Sequence, residues 1–324
     1  MQSFFQKNLS QRINSCIIKA SFKHLGKVVH IMATQSIYMR FPGGLSKALT
    51  LSYDDAVEQD FRLIDIMTAH GLKGTFNISS YQYIPEGYVY PPEKKWGQRM
   101  TMERATELYS RDGIEHALHA YTHPHLETMS SSQIAYEIIK NRESLEAQFG
   151  DIVRGMAYPD CGITRSANNV TYPEVKQYLK GLGITYARTL NGDNNKFEIP
   201  TDWHAWVPTA HHNNPKFMEW AEEFLNPDEN RKYKFPMLFY VWGHSYEFDR
   251  NDNWDYLDEI CEKLSGKDDV WYATNGEIYE YVNAYYSLVM SADESIIYNP
   301  TLHTIWFSTK TEDYKIEPGE TIYI

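Results

Sequence analysis

Short runs of β-favouring residues alternate along this chain with longer runs whose apolar positions recur at helical spacing. The two-residue alternation is clearest over Lys47 to Tyr53, which reads as a buried strand. Further strands are expected at Gly74 to Ile78, Ile114 to Leu118, Val153 to Tyr158, Thr185 to Arg188, Ala205 to Pro208, Met237 to Trp242 and Val270 to Thr274. Helical periodicity predicts Asp60 to His70, where Phe61, Ile64 and Met67 share a face and Gly71 ends the run, and Thr101 to Arg111, closed by Asp112-Gly113. The clearest helix is Ser130 to Phe149, with a serine cap, Ile134, Ile138 and Leu145 along one stripe, and Gly150 at its end. Pro173 to Leu182, Pro215 to Leu225, Trp254 to Leu264 and Gly276 to Ser287 continue the rhythm. Such β/α alternation, with about seven strands, predicts an α/β fold: a closed or distorted (β/α) barrel.

The pattern changes at both ends. Beyond Leu288 come the short β runs Leu288 to Ser291, Ser295 to Tyr298, Thr304 to Ser308 and Thr321 to Ile324, with a Pro318-Gly319 turn. They predict a small antiparallel appendage over residues 288–324, too short to hold its own core and therefore packed on a barrel spanning 34–287. Residues 1–33 carry Lys7, Arg12, Lys19, Lys23 and Lys27, and the first acid is Asp54. This basic leader reads as a targeting segment or the product of an upstream start, with Met32 as an alternative, and is expected to be poorly ordered.

Chemistry concentrates where the first strand ends. Asp54 and Asp55 follow the apolar run directly, so they belong at a rim; neighbouring strand residues point to opposite faces, and both can serve one site only where the strand breaks into a loop. The alternative is a cap for the helix beginning near Asp60. Some sixty residues on, His116, His119, His123 and His125 crowd into IEHALHAYTHPHLE. His119 and His123 are four apart, and with one carboxylate they make an Asp-His-His set that leaves coordination positions open, the catalytic rather than the structural arrangement. In a barrel both signals lie at the carboxyl ends of strands, the face where active sites form. Asp202, Trp203, His204, His211 and His212 fall in a loop-rich stretch and read as solvated loop residues, with substrate binding or an additional ligand as the alternative.

Taken in order, SYDDA, HAYTHPHL, MAYPDCG and FYVWGHSYEFD resemble the motifs of the polysaccharide deacetylases, carbohydrate esterase family four, over about Leu45 to Tyr281. The resemblance implies a distorted (β/α) barrel and a divalent metal, commonly zinc, held by Asp55, His119 and His123. It makes Asp54 the general base and His244 the general acid. Tyr158 and Pro159 of the third motif, and Trp242 beside His244, are then the expected substrate contacts. Ala56 and Ala120 depart from the family pattern, and Ala157 stands where the family places the arginine that orients the base. Either another residue takes that role or the activity is altered. The reaction implied is hydrolytic removal of an acyl group, most simply N-acetyl, from a carbohydrate. A non-sugar amide or ester on the same fold, or a carbohydrate-binding protein whose catalysis has decayed, are the competing readings.

Composition narrows the partners. A net charge of −12 argues against nucleic acid or an anionic membrane surface, since both need clustered Lys and Arg. Cys16, Cys161 and Cys261 are too scattered for a disulfide framework, and no apolar run is long enough to span a bilayer. The expected partner is a carbohydrate or small-molecule substrate, and the expected location cytoplasmic.

Overall fold

The alternation at Lys47–Asp54 becomes the central strand of a parallel sheet in the computed structural model, which describes residues 36–160, 171–190, 192–193, 195–228 and 235–324. The leader 1–33 lies outside the described residues. Strands are β1 (Tyr38–Arg40), β2 (Lys47–Asp54), β3 (Gly74–Ile78), β4 (Ile114–Leu118), β5 (Gly155–Ala157), β6 (Tyr186–Arg188), β7 (Ala210–His211), β8 (Met237–Gly243) and β9 (Val270–Tyr272), followed by β10 (Val289–Met290), β11 (Ile296–Tyr298), β12 (Ile305–Ser308), β13 (Asp313–Ile316) and β14 (Thr321–Tyr323). Helices are α1 (Asp60–Ala69), α2 (Met102–Tyr109), α3 (Ser131–Phe149), α4 (Tyr172–Gly181), α5 (Phe217–Leu225), α6 (Tyr246–Arg250), α7 (Trp254–Leu264) and α8 (Asn275–Tyr286).

The parallel sheet runs β6-β5-β4-β3-β2-β8-β7, with β9 beside the first half of β2. Beyond β6 the curl continues through backbone bonds: Trp206 N donates to Ala187 O (3.0 Å) and Thr189 N to Trp206 O (3.0 Å), and the same segment then enters β7 beside β8. The result is the expected distorted (β/α) barrel.

Strand alternation sorts side chains onto two faces. Leu49, Leu51, Tyr53, Phe76, Ile78, Leu118, Met156, Phe239 and Val241 point outward into one core shared with Leu63, Ile64 and Met67 of α1, Ile134, Ile138 and Leu145 of α3, and the apolar stripes of α5 and α7. The opposite face is polar along most of its length: Thr50 bonds Asn275, Ser52 accepts from Asn77, and Asn275 donates to Tyr240. Gly155 is needed on that face, since a Cβ there would collide with the ring of Tyr186. Helix α3 begins with a reciprocal capping box between Ser130 and Gln133 and ends at Gly150 (φ 76°), matching its sequence signals.

The C-terminal strands form two antiparallel sheets, β1-β12-β13 and β10-β11-β14. Strand β1 joins the first of them, with Met39 opposite Phe307, so a segment preceding the barrel completes the C-terminal layer. Ile297, Ile305, Phe307 and Ile316 share a second core with Ala48, Leu238, Ile278 and Tyr281. Tyr281 ties the layers together by donating to Arg40 O (2.6 Å) and accepting from Trp306 N (3.0 Å).

Candidate active site

At the end of β2 the backbone turns left-handed: Asp55 has φ 91° and Ala56 φ 51°. This break lets two consecutive carboxylates face one mouth. Neither caps α1, whose N-cap is Gln59 without a side-chain bond. The cap alternative therefore gives way to the rim.

Asp54 is 3 % exposed and accepts from Asn77 Nδ2 at 2.8 Å through Oδ1 and from Arg188 Nη2 through Oδ2. His119 Nε2 and His244 Nε2 lie 4.0 and 3.9 Å from the same Oδ2. Burial pushes the Asp54 carboxyl up, but Arg188, then His119 and His244, outweigh it and hold it below the usual carboxylate range. Arg188 answers the question raised by Ala157. The two residues are opposite each other in the β5–β6 register, so the guanidinium reaches the carboxylate from the neighbouring strand. Its carbon also lies 4.6 Å from the Trp242 ring centroid, which places Trp242 on the site. Nothing in the sequence ties Arg188 to Asp54, because register across a barrel is a tertiary property.

His119 is buried, and its Nδ1 donates to Ala157 O at 2.9 Å, leaving Nε2 as a lone pair aimed at the carboxylates. Burial lowers its pKa to about 4, so the ring is neutral. His123 (φ 63°) sits on a loop held by buried Glu137 of α3, which accepts from Thr122 N (2.7 Å) and Thr122 Oγ1 (2.9 Å). Its Nε2 is 3.6 Å from Asp55 Oδ1, and its Nδ1 is 3.7 Å from Asp160, a carboxylate that also approaches His125 at 3.3 Å. Asp55 is held near a pKa of about 2: burial raises it, but Arg99 and the three imidazoles prevail. Ligand atoms of Asp55, His119 and His123 lie within 4.8 Å of one another. A neutral imidazole whose far nitrogen donates to a backbone carbonyl, beside an ionised carboxylate, is the donor chemistry a divalent metal requires. The set fits such an ion. Arg99 Nη1, 2.9 Å from Asp55 Oδ1, supplies positive charge at the same oxygen.

His244 carries a raised pKa: burial lowers it, whereas Glu247, Asp54 and Asp55 more than compensate. Glu247, on α6, gathers three imidazoles, with His211 Nε2 at 3.2 Å, His212 Nε2 at 3.1 Å and His244 Nδ1 at 3.5 Å. His211, His244 and Glu247 also have metal-compatible spacing. Asn213 N, however, donates to His211 Nδ1 at 3.1 Å, so His211 Nε2 carries the proton and donates to Glu247 rather than offering a lone pair. This second group is a carboxylate–imidazole cluster. His212 and His204 are both buried, which corrects their reading as solvated loop residues.

Tyr158 points away from the carboxylates. Tyr158 is buried in the outer core with its hydroxyl donating to His204 O at 2.8 Å, and Pro159 is buried beside it. Outward strand positions face the helices, which is why the third motif delivers its neighbour Ala157, not Tyr158, to the interior. Arg99, Asn77 and Arg188 escaped the sequence reading, and each reaches the site from an element remote in sequence, whereas the pairing of Glu247 with His244, three residues away, is the alternative the sequence offers for that histidine.

Among the described residues no helix is long and apolar enough to cross a membrane. No curated protein sequence matches the chain significantly. A deacetylase from Streptococcus pyogenes solved with acetate is similar at 18 % identity over 44 % of this chain and 55 % of its own, with a TM-score of 0.34, so the chain spans about half the length of that relative. A candidate polysaccharide deacetylase from Mycobacterium smegmatis is similar at 19 % identity, over 79 % of this chain and 96 % of its own, with a TM-score of 0.51. A family-four pseudoenzyme from Bacillus anthracis is similar at 18 % identity over 78 % and 72 %, with a TM-score of 0.42. The polysaccharide deacetylase family model matches residues 38–186, the segment that carries Asp54, Asp55, His119 and His123. That segment is similar to the polysaccharide deacetylase family.

Proposed function

We propose that the chain is a metal-dependent deacetylase that removes an N-acetyl group from a carbohydrate. The observation that carries this reading is the convergence, at one barrel mouth, of an Asp-His-His ligand set with a separately buried carboxylate paired to Arg188. Asp55, His119 and His123 would hold the ion, zinc being the metal the family resemblance implies; when bound it polarises an acyl oxygen and acidifies water. Asp54, kept ionised by Arg188, accepts the proton of the attacking water. His244, whose pKa Glu247 and the two aspartates raise against burial, donates to the leaving amine across the mouth. Trp242, already packed against Arg188, offers an apolar wall to the acetyl methyl or a sugar face. Arg188 takes up the base-orienting role that Ala157 cannot fill, which removes one reason to favour a non-sugar amide.

The test is metal content of the purified protein, with acetate release from N-acetylated and O-acetylated sugars before and after chelation. Near-stoichiometric metal and chelator-sensitive acetate release are expected. Metal without acetate release would move the substrate to a non-sugar amide, and no metal on titration would leave a binding protein with decayed catalysis. Asp54→Asn should lose turnover while retaining metal; unchanged turnover would remove Asp54 from its role as base.

A further inference from the structure

The segment between β3 and α2 stands over Asp55 and is fastened at its far end. Met100 N donates to Ala56 O (3.2 Å), Glu58 N to Gln98 O (2.8 Å) and Arg99 N to Tyr90 Oη (2.7 Å). Between this segment, Asp55 and α6 lies a cavity of about 450 Å3, within the size range of small-ligand pockets. Trp96 and Tyr246 give it aromatic faces, and the Tyr246 ring packs 5.1 Å from that of His244, so the cavity opens directly beside the reaction mouth.

Its charge is opposite to that of the chain. Lys94 and Arg99 line it against the single carboxylate of Asp55, in a protein of net charge −12. Arg99 meets Asp55 through Nη1, while Nε and Nη2 find no protein acceptor among the described residues. The Lys94 ammonium likewise has no carboxylate partner among the described residues. The Lys94 ammonium and the unpaired edge of the Arg99 guanidinium, beside aromatic faces, match a ring that stacks and carries an anion.

We infer that this cavity is the substrate's neighbouring-sugar subsite and that it selects a saccharide bearing a carboxylate next to the acetylated sugar. The inference rests on the deacetylase reading for its place in a reaction, but the subsite can be read without turnover. The probes are cellobiouronic acid and cellobiose, which differ by a carboxylate and carry no acyl group. Calorimetry on the wild-type protein should show at least tenfold tighter binding of the acid, weakening as salt rises, and Lys94→Met should bring the ratio close to one. For turnover, kcat/KM is compared on N-acetylhexosaminyl disaccharides ending in glucuronate or glucose, with the same tenfold preference expected and the same collapse in Lys94→Met. Preferential binding of the acid without hydrolysis of either disaccharide would support the subsite and sink the deacetylase reading. Equal affinities, no measurable binding of either probe, or a preference untouched by Lys94→Met would overturn the subsite while leaving deacetylation to stand or fall on acetate release.

Discussion

Asp54 at the carboxyl-end mouth of the barrel and Glu115 near its opposite end both come from inward positions of parallel strands, yet their neighbours drive them in opposite directions. Glu115, partly buried, accepts from Tyr186 Oη (2.7 Å), Thr75 Oγ1 (2.7 Å) and Gly276 N (2.8 Å). All three donors are neutral, and burial pushes its carboxyl up in spite of them. Asp54 has the guanidinium of Arg188 and two imidazoles, and its carboxyl is pushed down. Burial alone thus makes a carboxyl reluctant to ionise, and a cationic partner in the same low dielectric reverses the outcome. One end ties α8 to the barrel; the other keeps a base ready.

The contrast breaks most completely at Arg188. Arg188→Ala leaves Asp54 buried without its counter-ion, a change that costs about 3–5 kcal/mol in comparable buried pairs. Acetate release should fall by at least about 100-fold, the scale of losing a strong preorganised partner. Because Ala157 faces the same interior from the adjacent position, Arg188→Ala with Ala157→Arg should recover part of the rate. No recovery in a folded double variant would mean that the guanidinium's origin on β6 matters as well as its charge. At the other end, Glu115→Ala should strand three donors and lower stability by about 2–4 kcal/mol, measured by urea unfolding, while the rate per folded molecule stays within about twofold. A catalytic loss there as large as that of Arg188→Ala would erase the distinction between the two ends.

The sequence exposed the parts of this arrangement that are local. The end of β2, the Asp54-Asp55 pair and the four-residue spacing of His119 and His123 are features of contiguous stretches, and the structure brings them to one mouth. Helix α3 was legible from its caps for the same reason. What stayed hidden depends on register or on chain reversal. Arg188 on β6 meets Asp54 on β2, four strands away in the sheet order, Arg99 arrives on an inserted loop, and Glu247 reaches His211 and His212 only once α6 folds back. Strand β13 buries a single residue, Ile316, so no alternation announced it, and β1 is buried throughout and finds its partner at the far end of the chain. Tyr158 was misread because a motif specifies spacing but not which face of the strand looks inward.

A smaller effect sharpens the comparison at a third carboxylate. Asp60 is fully buried against Ser245 Oγ (2.5 Å) and Tyr109 Oη (2.5 Å), hydroxyls like those around Glu115, and burial raises its pKa to about 7. Its unfolded value is near the ordinary 3.8. Between these values the folded state holds a proton that the unfolded chain has lost, so this group's contribution to stability is full below about 3.8, declines as pH rises, and is gone above about 7. The integrated effect is at most about 4 kcal/mol. His119 and His212, both lowered to about 4, act in the opposite sense up to about 6.5, because there it is the unfolded chain that holds the extra proton. The informative quantity is therefore the difference between Asp60→Asn and wild type, not the wild-type slope. Urea unfolding at pH 5 and pH 8 should show Asp60→Asn gaining on wild type at the higher pH by about 1–3 kcal/mol. A difference that does not change with pH would mean that Ser245, Tyr109 and the Val57 N–H, which donates to Asp60 Oδ2 at 3.2 Å, hold it ionised, and that neutral donors alone can do for a buried carboxylate what Arg188 does for Asp54.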